Sequence, residues 1–271
     1  MRYLHNRTLA VSLMLGIVTG LMAPMQRTTG ATFLGDSQPL NDMETSIETS
    51  IETQGPSPIL TARDVEQEDL EGTWEITDGE TPDDNDYEGT VEISAIRDTS
   101  NLYNLFWETS AGDYTGLGFL EEDRLLVGYG LSDDIYGVAL YEMKRNGTLQ
   151  GRWTYSEADG AVGTEIARGG IRGRLEGDYK IEGTDPGDPD SSYNGLLRIN
   201  KVDDIYQVSW TVEDQILLGI GLRVDDWLIV GWGPGDSFAV MDYEIDDDKA
   251  KGRSAMSGEA DLGKEKLRRE D

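Results

Sequence analysis

Two acidic loops and a set of aromatics hold the side chains best suited to chemistry. Asp83-Asp84-Asn85-Asp86 and Asp185-Pro186-Gly187-Asp188-Pro189-Asp190 gather hard oxygen donors of the kind that hold Ca²⁺. Asp83, Asp84, Asp86, Asp185, Asp188 and Asp190 would be the ligands. Neither loop follows the twelve-residue EF-hand spacing, and Asp, Pro and Gly in this density also build plain solvated turns. Calcium is the one cofactor the chain suggests; otherwise none is expected. The aromatic set is Trp74, Trp107, Tyr129, Trp153, Tyr179, Trp210 and Trp232. Such rings can wall a ligand pocket, burying area while their polar handles orient a guest. They also fill the cores of small all-β domains. Trp107 and Trp210 are the leading pocket candidates, because each stands mid-strand just ahead of a Gly-x-Gly turn of the pattern.

The remaining chemistry is narrow. The chain of 271 residues has no Cys and one His, His5. Disulfides, thiolate metal sites and Cys nucleophiles are excluded, and an imidazole base is available only at the extreme N-terminus. Carboxylate pairs remain for hydrolysis, but among 53 acidic side chains none is singled out by spacing, so a non-enzymatic role is expected. The net charge of −30 would repel polyphosphate and excludes a basic nucleic-acid binder.

Most of the chain is one unit written twice. Leu70-Glu71-Gly72-Thr73-Trp74-Glu75-Ile76 returns as Leu175-Glu176-Gly177-Asp178-Tyr179-Lys180-Ile181. Tyr87-x-Gly89 returns as Tyr193-x-Gly195, Trp107 as Trp210, and Gly116-Leu117-Gly118 as Gly219-Ile220-Gly221. Val127-Gly128-Tyr129-Gly130 returns as Val230-Gly231-Trp232-Gly233, and Tyr141 as Tyr243. Gly151-Arg152-Trp153 maps to Gly252-Arg253-Ser254, and Gly163-x-Glu165 to Gly263-x-Glu265. A period of about a hundred residues is too long for a solenoid and fits a duplicated domain. Repeat 1 spans 70–169 and repeat 2 spans 170–271.

Within each repeat apolar and polar residues alternate with period two, as in Thr90-Val91-Glu92-Ile93-Ser94 and Tyr206-Gln207-Val208-Ser209-Trp210. Asp78-Gly79, Asn146-Gly147, Asp159-Gly160 and Asp225-Asp226 punctuate at hairpin spacing. Eight strands are expected in repeat 1, near 72–77, 88–96, 102–109, 113–120, 124–130, 135–143, 148–155 and 161–168, and eight more in repeat 2. No stretch has a sustained helical period. The fold class is therefore all-β: two tandem eight-stranded up-and-down antiparallel barrels, since closure removes exposed edges. A two-sheet sandwich is the alternative. The glycine rows suit tight coiling of small barrels, or else a floor beneath a ligand. Arg152 and Arg253 are expected to pack and to pair with carboxylates.

The first 69 residues have another character. Arg2 and Arg7 precede the uncharged run Leu9 to Ala23, and Thr29-Gly30-Ala31 follows. This is the order of a secretory signal peptide, assigned to 1–31. The run is short for a spanning helix, so membrane contact is expected only if the segment stays uncleaved. Residues 32–69, with the repeat Glu44-Thr-Ser-Ile-Glu48-Thr-Ser-Ile-Glu52, read as a disordered acidic linker.

Gly72-Thr73-Trp74 at the head of an eight-stranded meander resembles the first strand of avidin-like and lipocalin-like (calycin-like) barrels. Biotin-binding members place an Asn soon after that Trp; this chain has Glu75, Ile76 and Thr77. Over residues 70–271 the unit also resembles a tandem-repeat secreted bacterial β-barrel family, some members of which carry a fibronectin-binding label. The resemblance implies a secreted protein, or one of the bacterial periplasm or cell envelope, acting as a binding or adhesion module for an extracellular protein or polysaccharide. A carrier of a small apolar ligand in each barrel is the second reading, and a secreted carboxylate-dependent hydrolase the third.

Overall fold

The computed structural model describes residues 70–96, 99 and 101–270. The signal and linker expectations lie outside the described residues. Repeat 1 forms β1 (Gly72–Glu80), β2 (Asp86–Ala95), β3 (Leu102–Thr109), β4 (Gly112–Glu121), β5 (Arg124–Gly130), β6 (Gly137–Met143), β7 (Leu149–Tyr155) and β8 (Gly163–Arg168). Repeat 2 forms β9 (Gly177–Asp185), β10 (Asp188–Val202), β11 (Ile205–Val212), β12 (Gln215–Val224), β13 (Trp227–Gly233), β14 (Phe238–Asp246), β15 (Lys249–Met256) and β16 (Gly263–Arg269). The eight strands of repeat 1 form close to the ranges expected of them. Strands such as β1 and β16 bury one side of the pleat and leave the other wet, whereas β5 and β13 are buried on both.

The turns explain much of the acid. In five hairpins the loop is two residues long and its first residue is acidic: Glu122, Asp203, Glu213, Asp225 and Asp247, at φ 51–55°. Short polar side chains tolerate this left-handed conformation better than bulky apolar ones.

The strands close into two eight-stranded antiparallel barrels. The first barrel runs β1-β16-β15-β14-β5-β4-β3-β2, the second β10-β11-β12-β13-β6-β7-β8-β9. This corrects one expectation: neither 70–169 nor 170–271 closes a barrel of its own. β5 pairs with β14, Gly130 opposite Phe238, and β6 pairs with β13, Gly137 opposite Trp232. Each barrel takes five strands from one repeat and three from the other. The physical reason is equivalence: β6 and β14 are copies and offer the same edge, so either can close either barrel. The connections at 131–136 and 234–237 cross, and the Leu131 N–H donates to the Ser237 carbonyl at 3.0 Å.

Exchange creates a third core. Each barrel has its own interior cluster. Between the barrels, the outer sides of β4–β6 and β12–β14 bury Phe119, Leu126, Leu140, Leu222, Ile229 and Val240. Gly128 and Gly231 permit the close pass. A Cβ on Gly128 would stand 2.6 Å from the Gly137 carbonyl oxygen, and one on Gly231 would run into the Ala239 carbonyl. The glycines thus serve backbone approach, and Gly116 and Gly219 likewise make room for the Trp107 and Trp210 rings.

Candidate functional site

Four repeat landmarks meet inside each barrel. In the first barrel, Glu265 on β16 accepts hydrogen bonds from the Tyr87 hydroxyl on β2 (2.6 Å), the Tyr243 hydroxyl on β14 and the Trp107 indole N–H on β3 (3.3 Å). In the second, Glu165 on β8 accepts from Tyr141 on β6 (2.6 Å) and Tyr193 on β10 (2.8 Å), while the Trp210 indole on β11 donates to the Tyr141 oxygen at 2.9 Å. Each tetrad draws two residues from each repeat, so strand exchange leaves both complete. Sequence reading recorded the tyrosines and glutamates as landmarks but did not join them to Trp107 and Trp210. The signal was there, in acids at strand positions where alternation demands an inward side chain.

Glu165 and Glu265 are 2 % and 1 % exposed. Burial pushes the Glu165 carboxyl up to about 7, opposed by the phenol hydrogen bonds, and pushes Glu265 upward as well. Burial, then the neighbouring carboxylate charge, drives the phenols of Tyr87, Tyr141, Tyr193 and Tyr243 far above the usual range. All four therefore stay protonated and donate.

One end of each barrel is sealed by the first aromatic of the repeat. The Trp74 indole N–H donates to the Leu70 carbonyl at 3.1 Å, and the Tyr179 hydroxyl to the Leu175 carbonyl at 2.8 Å. The opposite ends differ. In the first barrel Tyr87, Trp107, Tyr114, Tyr129, Met241 and Met256 surround a cavity of about 30 Å³ that reaches Glu265, room for about one water molecule. In the second barrel Trp153, Tyr155 and Trp232 fill that end, with ring centroids 6.1–6.5 Å apart. Trp153 stands where the first barrel has Ser254, and Tyr155 where it has Met256. All seven aromatics singled out by sequence are thus interior or end-sealing groups.

The acidic loops cap β1 and β9. Both Asp83 carboxylate oxygens are engaged, by the Thr81 hydroxyl and the Asn85 amide, each at 2.6 Å, and these bonds hold its pKa below the usual value. Asp84 takes a left-handed turn conformation at φ 61°, and Asp86 opens β2, exposed. Asp188 accepts the Asp190 N–H at 3.1 Å, and Asp185 is buried. Among the described residues no three acids gather to hold a metal ion.

The arginines pack as expected. Arg152 pairs with Glu121, and its guanidinium lies over the Phe119 ring, 4.7 Å from the centroid. Arg253 pairs with the buried Asp242 at 3.1 Å and donates to the Arg223 carbonyl at 2.7 Å.

Outside the first barrel a groove of about 550 Å³ runs along β2–β4 and is bounded by the crossover connection. Glu92, Ser94, Asn104, Phe106 and Thr115 form its base, and Ser132, Asp133 and Asp134 its wall. Phe106 is 42 % exposed. The equivalent groove of the second barrel, about 430 Å³, has Gln207, Leu218, Ser257 and Glu259 and is less acidic. Comparison with family models, curated proteins and solved structures returns no match.

Proposed function

We propose that this protein is an exported, non-enzymatic binding module that holds an extracellular polysaccharide in the groove outside its first barrel. The observation that carries the reading is that groove: about 550 Å³, with an exposed Phe106 ring among amide, hydroxyl and carboxylate side chains. An exposed ring offers a flat apolar platform to a sugar face, and the surrounding polar groups suit its hydroxyls. Among the described residues the cavity beside the first tetrad is about 30 Å³, and Trp153, Tyr155 and Trp232 pack the corresponding end of the second barrel, which favours binding on the outside. The two buried carboxylates stand in separate barrels with phenols donating to them, which weighs against a paired-carboxylate hydrolase. A panel of soluble polysaccharides and immobilised matrix proteins tests the reading. Phe106→Ala should weaken polysaccharide binding about tenfold, the loss of one stacking platform, with the melting temperature unchanged. Undiminished binding by that variant, or turnover of any polysaccharide, would defeat it.

A further inference from the structure

One cavity between the barrels is lined by cations, against the acidic balance of the chain. Arg124 on β5, Lys251 and Arg253 on β15 and Arg223 near the end of β12 surround about 460 Å³, together with Asp242 and Glu244 on β14 and Asp225 in the turn after β12. Four cations face three acids there, although the net charge of the chain is −30. Asp242 is the buried member, 2 % exposed. Its two oxygens each take one guanidinium, Arg124 Nη1 at 3.3 Å and Arg253 Nε at 3.1 Å. A buried carboxylate is unfavourable unless it is paired, and this pairing fixes two guanidiniums at the cavity wall.

Donors are left over. Arg253 Nη2 donates to the Arg223 carbonyl at 2.7 Å, and Arg223 Nε to the Asp225 carbonyl at 3.0 Å. Among the described residues this leaves Arg253 Nη1 and both terminal nitrogens of Arg223 without an acceptor. Lys251 stands opposite Glu244 in the ladder, yet Glu244 is engaged by Arg124 at 3.6 Å, and the Lys251 ammonium makes no hydrogen bond or ion pair among the described residues. Packing does not require this set. At the equivalent junction of the other barrel, register puts Trp227 in the place of Arg124, Leu140 in that of Asp242, Gln150 in that of Lys251 and Arg152 in that of Arg253. One cation remains there, paired with Glu121 and with its guanidinium 4.7 Å from the Phe119 centroid and 5.9 Å from that of Trp227. A largely apolar set thus builds the same junction.

We infer that this cavity binds a tetrahedral oxyanion, the phosphate or sulfate group of a small solute, with Lys251, Arg223 and Arg253 donating to its oxygens and Asp242 holding the Arg253 and Arg124 guanidiniums in place. Guanidinium forks match the spacing of oxyanion oxygens, and an ammonium adds a compact charge. Donors that come from β12 and β15 suit a group with three or four outward oxygens better than a planar carboxylate with two. The volume also leaves room for the solute that carries the group. The cavity shares no residue with the outer groove, so neither proposal depends on the other.

Inorganic phosphate and sulfate are the probes, in equilibrium dialysis of the full chain against the labelled anions at constant ionic strength set by sodium chloride. The parent should take up one of them saturably, and the tighter of the two names the ester class. Acetate, a planar anion, should compete at least about tenfold more weakly. Lys251→Gln and Arg223→Gln, both at exposed positions, should keep the melting temperature of the parent and each weaken binding about tenfold, the loss of one charge-assisted contact. Lys201→Gln changes the net charge equally on another part of the surface and should leave the affinity unchanged, as should Phe106→Ala. No saturable uptake by the parent, acetate competing as well as phosphate and sulfate, an unaltered affinity in the double variant Lys251→Gln/Arg223→Gln, or an equal loss in Lys201→Gln would overturn the assignment.

Discussion

Glu165 and Glu265 show how much a single inward acid changes about a barrel. Each is surrounded by donors rather than by cations, so the chain accepts a buried charge stabilised by neutral dipoles. The sign of the pH effect follows. Glu165 rises from its ordinary 4.5 to about 7 in the folded state, so between those values the folded form binds more protons than the unfolded one. Stability is therefore greatest below about pH 4.5 and falls as pH rises to about 7. The loss is of the order of 3 kcal/mol, since each unit of pKa is worth about 1.4 kcal/mol. The general acidity of the chain bends stability the same way, so the comparison must be with Glu165→Gln. The stability difference between parent and variant should shrink or reverse across that window in urea titrations at several pH values. A difference constant from pH 4.5 to 8 would show that the carboxyl does not titrate there.

At the scale of the strand, the informative elements are those that bury both faces. Arg124-Leu-Leu-Val-Gly-Tyr-Gly130 and Trp227-Leu-Ile-Val-Gly-Trp-Gly233 are buried at every position after the first. One face of each lines its own barrel and the other meets the neighbouring barrel. Alternation predicts a strand with one wet face; these runs break alternation, and that break was the legible sign of a partner sheet. Gly128 lies at the crossing, so Gly128→Ala should destabilise by about 1–3 kcal/mol, the usual cost of overpacking a filled contact. Gly235→Ala, on the 234–237 connection with no atom within 4 Å of the added carbon, makes a comparison of backbone strain without crowding, since its φ is 63°. Equal stability of Gly128→Ala and the parent, read from denaturant midpoints, would mean the barrels can part at that point.

For the whole molecule, exchange makes the two repeats interdependent. Each interior tetrad takes two residues from each repeat, and each barrel has two inter-repeat ladders, β5–β14 and β1–β16 in the first and β6–β13 and β8–β9 in the second. An isolated repeat 1, residues 70–169, carries Tyr87, Trp107, Tyr141 and Glu165, a complete tetrad in sequence. Two copies of it can therefore build the same pair of barrels by the same exchange, burying the third core as well. Sedimentation of the 70–169 fragment should give twice the mass of one repeat at micromolar concentration. A folded monomer with the same strand content would show that the connection at 131–136 is free to close as an ordinary hairpin, and that exchange adds little.

Local physics settled what each segment becomes. The pattern placed the eight strands of repeat 1, and turn chemistry placed the turns at Asn146-Gly147, Asp159-Gly160 and Asp225-Asp226. Asp78-Gly79, expected as a turn, lies instead inside β1, where the ladder to β16 shifts register. The duplicated landmarks marked the residues that recur inside both barrels. The last strand, Gly263–Arg269, had the weakest pattern and still formed, because its neighbours β1 and β15 supply two complete ladders. Pairing partners were another matter. Equivalent strands of a duplicated unit offer similar edges, so the alternating pattern alone does not distinguish β6 from β14 as the mate of β5. The choice belongs to the tertiary structure, where crossing the strands joins two barrels through an additional apolar core. The same holds for the site residues. Trp153 and Trp107 are equally plausible pocket walls in sequence, yet one seals a barrel end and the other donates to a buried glutamate. Asp185 reads as a turn acid until the fold buries it.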